Sequence, residues 1–175
     1  MKGEPDAPIF LIGFMGAGKT TVGRILADRL GFDFIDLDEV IEANAAKSVR
    51  AIFAELGEGE FRRLEREALQ QIRGMKGAVI ALGGGVYISE DNRAIIDQTG
   101  EAVWLDCPLE TCLGRVERDG SRPLLAGAAE MKALLDRRRP FYALADHVVS
   151  TGECSAEEAA QRVLDALKDK AIRAD

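Results

Sequence analysis

Residues 13–20 read GFMGAGKT. Glycines at 13, 16 and 18 let a chain turn tightly and bring its N–H groups against an anion, and Lys19 adds a full positive charge beside them. Thr20 follows with a hydroxyl of the kind that ligates Mg2+. The order G-x-x-x-x-G-K-[ST] suits a nucleoside triphosphate such as ATP, with N–H groups and lysine for the phosphates and the hydroxyl for the metal. Gly16, Ala17, Gly18, Lys19, Thr20 and Thr21 are therefore the expected nucleotide-binding residues. Thr21 could take the metal in place of Thr20, but the register after Lys19 favours Thr20. Downstream, FIDLD at 34–38 delivers two carboxylates, Asp36 and Asp38, to the end of an apolar run. In an extended chain, residues i and i+2 point to one side. Two like charges there need a cation or a hydroxyl-bearing ligand between them. One carboxylate would be stabilised near Mg2+. The other could accept hydrogen bonds from substrate hydroxyls and orient one for attack. Asp38 could equally cap a helix.

These groups act together only if the chain carries them to one place. Ile9–Ile12 is a short apolar run ending in glycine, which reads as a buried strand. Residues 18–30 follow with Val22, Ile25, Leu26 and Leu30 at helical spacing, and Gly31 stands where a C-terminal cap belongs. Phe32–Asp36 reads as a second strand. Residues 38–56 read as a helix in two pieces, broken near Lys47–Ser48. Residues 59–73 read as an amphipathic helix with Phe61, Leu64, Ala68, Leu69 and Ile72 on its apolar face. Ala78–Leu82 is a third strand running into Gly83–Gly85, and 90–98 a helix. Ala102–Leu105, with the one tryptophan, is a fourth strand, and 108–117 a helix. Residues 118–127, RDGSRPLLAG, carry breakers and charge and read as a mobile lid. Residues 129–144 are helical with Pro140 disturbing the last turns. His147–Val149 is a fifth strand, and 155–168 a closing helix. Short apolar strands alternating with amphipathic helices imply an α/β fold in three layers, a five-stranded parallel sheet flanked by helices. In such a sheet, ligands sit beyond the C-terminal ends of the strands, where Asp36, Asp38 and Gly83–Gly85 all fall.

The chain has 175 residues, 47% of them hydrophobic, which suits a single domain over 1–175 with a full core. No apolar run approaches the ~18 residues needed to span a bilayer, and the N-terminus has no apolar leader segment. The expectation is a cytoplasmic protein with no membrane partner. A net charge of −7 argues against a nucleic-acid partner. Three cysteines without C-x-x-C spacing read as buried or half-buried thiols rather than a metal site. One histidine, His147, with no partner cysteine, weakens any triad chemistry. Arg62 and the run Arg137–Arg139 are available for an anionic group, though each alone reads as a surface charge. Together the residues point to a P-loop kinase of a small hydroxylated molecule and leave that molecule open.

The chain resembles the shikimate kinases. GFMGAGKTT, FIDLD, GEFRRLE, ALGGG, RPLL and RRPFY occur in that family's order across residues 13–142. The resemblance implies ATP and Mg2+ as cofactors, shikimate as the small-molecule partner, and a monomer is expected. It implies that Asp38 binds the shikimate hydroxyls and acts as base, and that Asp36 holds Mg2+ through water. Arg62 and Arg138 would clamp the shikimate carboxylate, Glu65 would support Arg62, and Gly84 and Gly85 would present N–H groups, with Gly83 shaping the loop. Phe53 and Phe61 would line the pocket. Arg122 would reach the phosphates from the lid. Lys19, Asp38 and Arg122 would carry the chemistry. Of the three arginines, Arg138 alone stands two residues before Pro140 in R-x-P-x-Y. Neighbouring helical residues point roughly 100° apart, so all three cannot face one carboxylate. Ala46 stands where the family often has glycine. A related kinase of gluconate or a nucleoside monophosphate, or an ATP-sensing module, are the alternatives.

Overall fold

The computed structural model describes residues 6–119 and 127–174. In chain order the elements are β1 (Ile9–Ile12), α1 (Lys19–Leu30), β2 (Asp33–Asp36), α2 (Leu37–Ala45), α3 (Val49–Ile72) and β3 (Ala78–Ala81). A 3-10 turn at Val86–Ile88 leads into α4 (Glu90–Thr99) and β4 (Glu101–Asp106). Then come α5 (Leu109–Asp119), α6 (Ala128–Tyr142), β5 (His147–Ser150) and α7 (Ala156–Ala174). The five strands form one parallel sheet in the order β2-β3-β1-β4-β5.

β1 and β3 are buried at every position, IFLI and AVIA, because helices cover both faces of the sheet at its centre. Phe10, Leu11, Ile12 and Ile80 are closed to solvent. Each such aliphatic or aromatic side chain contributes about 1.5–3 kcal/mol on burial. The edges differ. β5 buries His147 and Val149 and exposes Val148 and Ser150, the alternation of a strand covered on one side. His147 Nε2 lies 3.2 Å from Glu101 Oε2, tying β5 to β4. All three cysteines are free thiols, two buried and one half-buried.

The chain leaves β1 for the far edge, returns to β3 beside β1, and only then crosses to β4. β1 is thus flanked by β3 and β4, and its C-terminal end opens where the winding reverses. Helix ends follow local chemistry. Gly31 closes α1 at φ 67°, and Ser48 starts α3 by accepting a hydrogen bond from the Ala51 N–H at 3.2 Å. Ala46 closes α2 at φ 49°, a left-handed position that favours glycine. Within α3, Gly57 departs from helical geometry (φ 81°, ψ 172°), so the span bends between its two amphipathic pieces.

Two expectations change, for FIDLD and for the bounds of the lid. The FIDLD stretch is not extended to its end. β2 stops at Asp36, whose side chain caps α2 by accepting from the Asp38 N–H at 3.1 Å, so Asp38 lies in a first helical turn. The expected helix through Pro140 stands: α6 continues to Tyr142 and closes with the Ala143 N–H on the Arg139 carbonyl. Residues 118 and 119 belong to α5, Gly127 caps α6, and the rest of the expected lid lies outside the described residues. Among the described residues, no helix is long and apolar enough to cross a membrane.

Candidate active site

The loop between β1 and α1 takes its shape from glycines at positive φ, 75° at Gly16 and 94° at Gly18. Lys19 is the first residue of α1 and arches back over the loop. Its Nζ donates to the Gly13 carbonyl at 2.9 Å and to that of Phe14 at 3.0 Å. The next residue, Thr20, donates its hydroxyl to Asp36 Oδ2 at 2.9 Å. Asp36 therefore joins the P-loop helix through one oxygen and the start of α2 through the other. Thr21 is turned elsewhere and lines a cavity of about 160 Å3 with Ala17, Gly18, Arg115, Thr151 and Ser155.

A larger cavity, about 440 Å3, opens beyond the C-terminal ends of β2 and β3. Arg62, Glu65, Gly85 and Arg138 line it, from three separate stretches of chain. The Arg62 guanidinium meets Glu65 at 3.0 Å and Glu58 at 3.1 Å and lies 5.4 Å above the Phe61 ring. Burial works against the Arg62 charge, but Glu65 and Glu58 outweigh it and hold this guanidinium above its ordinary pKa. Glu65 is 1% exposed. Burial pushes its carboxyl up, Arg62 pulls it down, and burial prevails. Asp38 adds to the upward push, since it faces the same corner. A Cβ on Gly83 would stand 3.0 Å from Asp38 Oδ1 and 3.5 Å from Glu65 Oε1.

Of the arginine run, Arg138 lines the cavity. Arg139 turns away to Asp106 at 2.8 Å and stacks over Trp104, and Arg137 is exposed. A Cβ on Gly84 would lie 3.0 Å from Arg138 Nη1 and 3.5 Å from the Gly13 carbonyl. The glycine run following β3 is therefore the seam between the P-loop and the arginine-lined cavity. Phe53 and Phe61 stack with ring centroids 4.4 Å apart, and Phe53 is 40% exposed. Neither borders the cavity, and Phe61 supports Arg62 from beneath. Arg122 lies outside the described residues.

Sequence reasoning missed several lining residues. Asn92, Ser89 and Arg66 face the larger cavity, and Arg115 and Thr151 the smaller one. Arg115 donates to the Gly16 carbonyl at 3.3 Å and approaches Cys107 Sγ at 3.7 Å. Arg66 lies one turn beyond Arg62 on α3, and the only signal of the other four is position, past the C-terminal ends of β3, β4 and β5. Among the described residues, no cluster of three or more His, Cys, Asp or Glu could hold a metal without help from other donors.

A family model described as shikimate kinase matches residues 15–168. A shikimate kinase of Moorella thermoacetica is 44% identical, with 91% of this chain and 94% of that protein covered. One from Persephonella marina is 40% identical over 91% of this chain and 98% of its own length. Among solved structures, the shikimate kinase of Acinetobacter baumannii in complex with shikimate superposes with a TM-score of 0.88 at 38% identity, covering 94% of both chains. That of Aquifex aeolicus gives 0.84 at 36% identity, covering 94% of this chain and 98% of that chain. A Janibacter sugar kinase, 16% identical with a TM-score of 0.64 over 94% of this chain and 95% of that chain, shares the P-loop kinase fold alone. Matched by the family model over most of its length and about 40% identical to these relatives across nine-tenths of the chain, the chain belongs to the shikimate kinase family.

Proposed function

We propose that this chain transfers the γ-phosphoryl group of ATP to the 3-hydroxyl of shikimate, giving shikimate 3-phosphate, as a cytoplasmic monomer. One observation carries the reading. Two arginines and a glycine border a single cavity, and the neighbouring glycine stands 3.5 Å (as a Cβ) from a P-loop carbonyl. An anionic hydroxylated acceptor held there lies next to the phosphate loop, as in-line transfer requires.

The donor set fits a nucleotide and its metal. Gly16 and Gly18 hold the loop in a conformation that leaves N–H groups for phosphate oxygens. Thr20 and Asp36 present a hydroxyl and a carboxylate 2.9 Å apart, hard oxygens that suit Mg2+. These two would hold the ion, Asp36 through water. When bound, the ion supplies positive charge to the phosphate oxygens. Lys19 exchanges its bonds to the Gly13 and Phe14 carbonyls for phosphate oxygens and carries its charge with it. Arg62 and Arg138 pair with the acceptor carboxylate and fix the ring. Arg62 is held for this by Glu65 and Glu58. Gly84 and Gly85 offer N–H groups, and Asp38 accepts the proton of the hydroxyl that attacks. Arg122 adds charge at the phosphates.

The test is ADP release by purified protein with Mg·ATP, alone and with shikimate, gluconate or a nucleoside monophosphate. Turnover only with shikimate supports the reading. Turnover with another acceptor, or hydrolysis indifferent to all of them, overturns it.

A further inference from the structure

We propose that Tyr142 is a positioning residue for the acceptor, its hydroxyl locking the Gly84–Gly85 peptide so that the Gly85 N–H is turned to the cavity. The inference rests on the reading of that cavity as the shikimate site. Tyr142 is closed to solvent and is the last residue of α6. Its hydroxyl donates to the Gly84 carbonyl at 2.5 Å. Its ring packs on Trp104 with centroids 5.9 Å apart. In a trans peptide unit the C=O and the following N–H point in opposite directions. Fixing the Gly84 oxygen on Tyr142 therefore fixes the Gly85 N–H on the opposite side. Gly85 is the glycine that lines the cavity with Arg62 and Arg138.

That lock is needed because a peptide between two glycines rotates more freely than any other. The rest of the loop is secured by other groups. The Gly83 carbonyl accepts from the Val86 N–H at 3.1 Å and the Gly85 carbonyl from the Ile88 N–H at 3.2 Å. Asn92 holds the Val86 carbonyl at 3.1 Å, and Arg93 those of Tyr87 and Ile88 at 2.9 and 2.8 Å. Between them the Gly84 carbonyl is held by Tyr142. The hydroxyl also lies beside Arg138, one helical turn earlier. A Cβ on Gly84 would be 3.6 Å from the Tyr142 oxygen and 3.0 Å from Arg138 Nη1. Burial, only partly offset by Arg138, keeps the phenol protonated and so a donor. One side chain thus sets the direction of an N–H and braces an arginine on the same cavity, and the R-x-P-x-Y spacing puts both on one helix face.

The test is Tyr142→Phe, which keeps the ring on Trp104. The shikimate KM is expected to rise about tenfold, with kcat down about threefold or less and the ATP KM within about twofold of the parent. Tyr87→Phe is the control, because that hydroxyl bonds the Leu144 carbonyl instead, and it should leave both constants unchanged. The readout that a purely structural role would not move is the Gly85 amide in glycine-15N protein, assigned by its loss in Gly85→Ala. In the parent it should shift on shikimate addition, and in Tyr142→Phe the shift should collapse. A parent without shikimate turnover would refute the proposed function and this inference with it. A parent active on shikimate whose Gly85 amide does not respond, or a Tyr142→Phe enzyme with an unchanged shikimate KM, would overturn the inference alone. If Tyr142→Phe does not fold, the parent's Gly85 response decides it.

Discussion

Gly85→Ala separates a binding defect from a folding defect. A Cβ at Gly85 would stand 2.4 Å from Arg62 Nη1, 2.8 Å from Nη2 and 2.9 Å from Cζ. Ordinary contact between such atoms begins near 3.5 Å, so the guanidinium must retreat by about 1 Å. It has little freedom to retreat in place, since Glu65 and Glu58 hold it from the helix side. A misplacement of about 1 Å at a group that orients the substrate can cost on the order of a hundredfold, or about 2.7 kcal/mol. The backbone tolerates alanine, because Gly85 sits at φ −101°, outside the left-handed region. Initial rates of ADP release, with shikimate and ATP varied in turn, should show kcat/KM for shikimate down roughly a hundredfold with the ATP KM held. The thermal midpoint should stay close to that of the parent. Gly100→Ala is the contrasting case: its Cβ would meet the Pro8 backbone carbonyl at 2.1 Å, which no side-chain movement relieves, and the fold itself should suffer. An unchanged shikimate kcat/KM in Gly85→Ala would refute Arg62 as a carboxylate ligand. An equal loss for shikimate and ATP would show general damage instead.

Lys19→Ala should lower kcat by on the order of a hundredfold or more, about 3 kcal/mol, and an unchanged kcat in steady-state kinetics would refute the P-loop role. Arg138→Ala should raise the shikimate KM tenfold to a few hundredfold, whereas exposed Arg137→Ala should leave it near the parent value; equal losses would undo the assignment. Ala46→Gly should gain about 0.5 kcal/mol in urea unfolding, since glycine relieves the left-handed strain at φ 49° and returns part of that as unfolded-chain entropy. A loss of stability would count against the strain. Glu65 makes stability pH-dependent. Its folded carboxyl titrates above the ordinary 4.5, so its stabilising share is complete below that value and is lost as pH rises through the elevated one. Glu65→Gln should remove that decline, and the parent-minus-variant difference in unfolding free energy across pH 4–7 reads it directly; a flat difference would refute the raised carboxyl.

Some of this protein is legible in the chain because its chemistry is local. GFMGAGKT defines a loop by its own glycines, and nothing distant is needed to bring Lys19 and Thr20 to its end. The five strands and most helix limits follow from apolar period and caps such as Gly31 and Ser48. FIDLD misled by one step, because an i, i+2 pattern cannot reveal that Asp36 turns back to cap the helix holding Asp38. The helix through Pro140 was legible because a proline near a helix end removes one donor without forcing a stop, and the final turn still closes on Arg139.

What the sequence determined by itself is the phosphate loop, the alternation of strands and helices, and, by resemblance, the family. What only the tertiary structure decided is which residues meet. Strand order carries the seam after β3 to the P-loop, and the packing of α6 sets Tyr142 on the Gly84 carbonyl beside Arg138. It also brings Arg115 and Thr151 to the wall beside Gly18. A loop motif is written in adjacent residues whose backbone angles it dictates. A site assembled across a sheet depends on register and packing between segments far apart in the chain, and those no local spacing records.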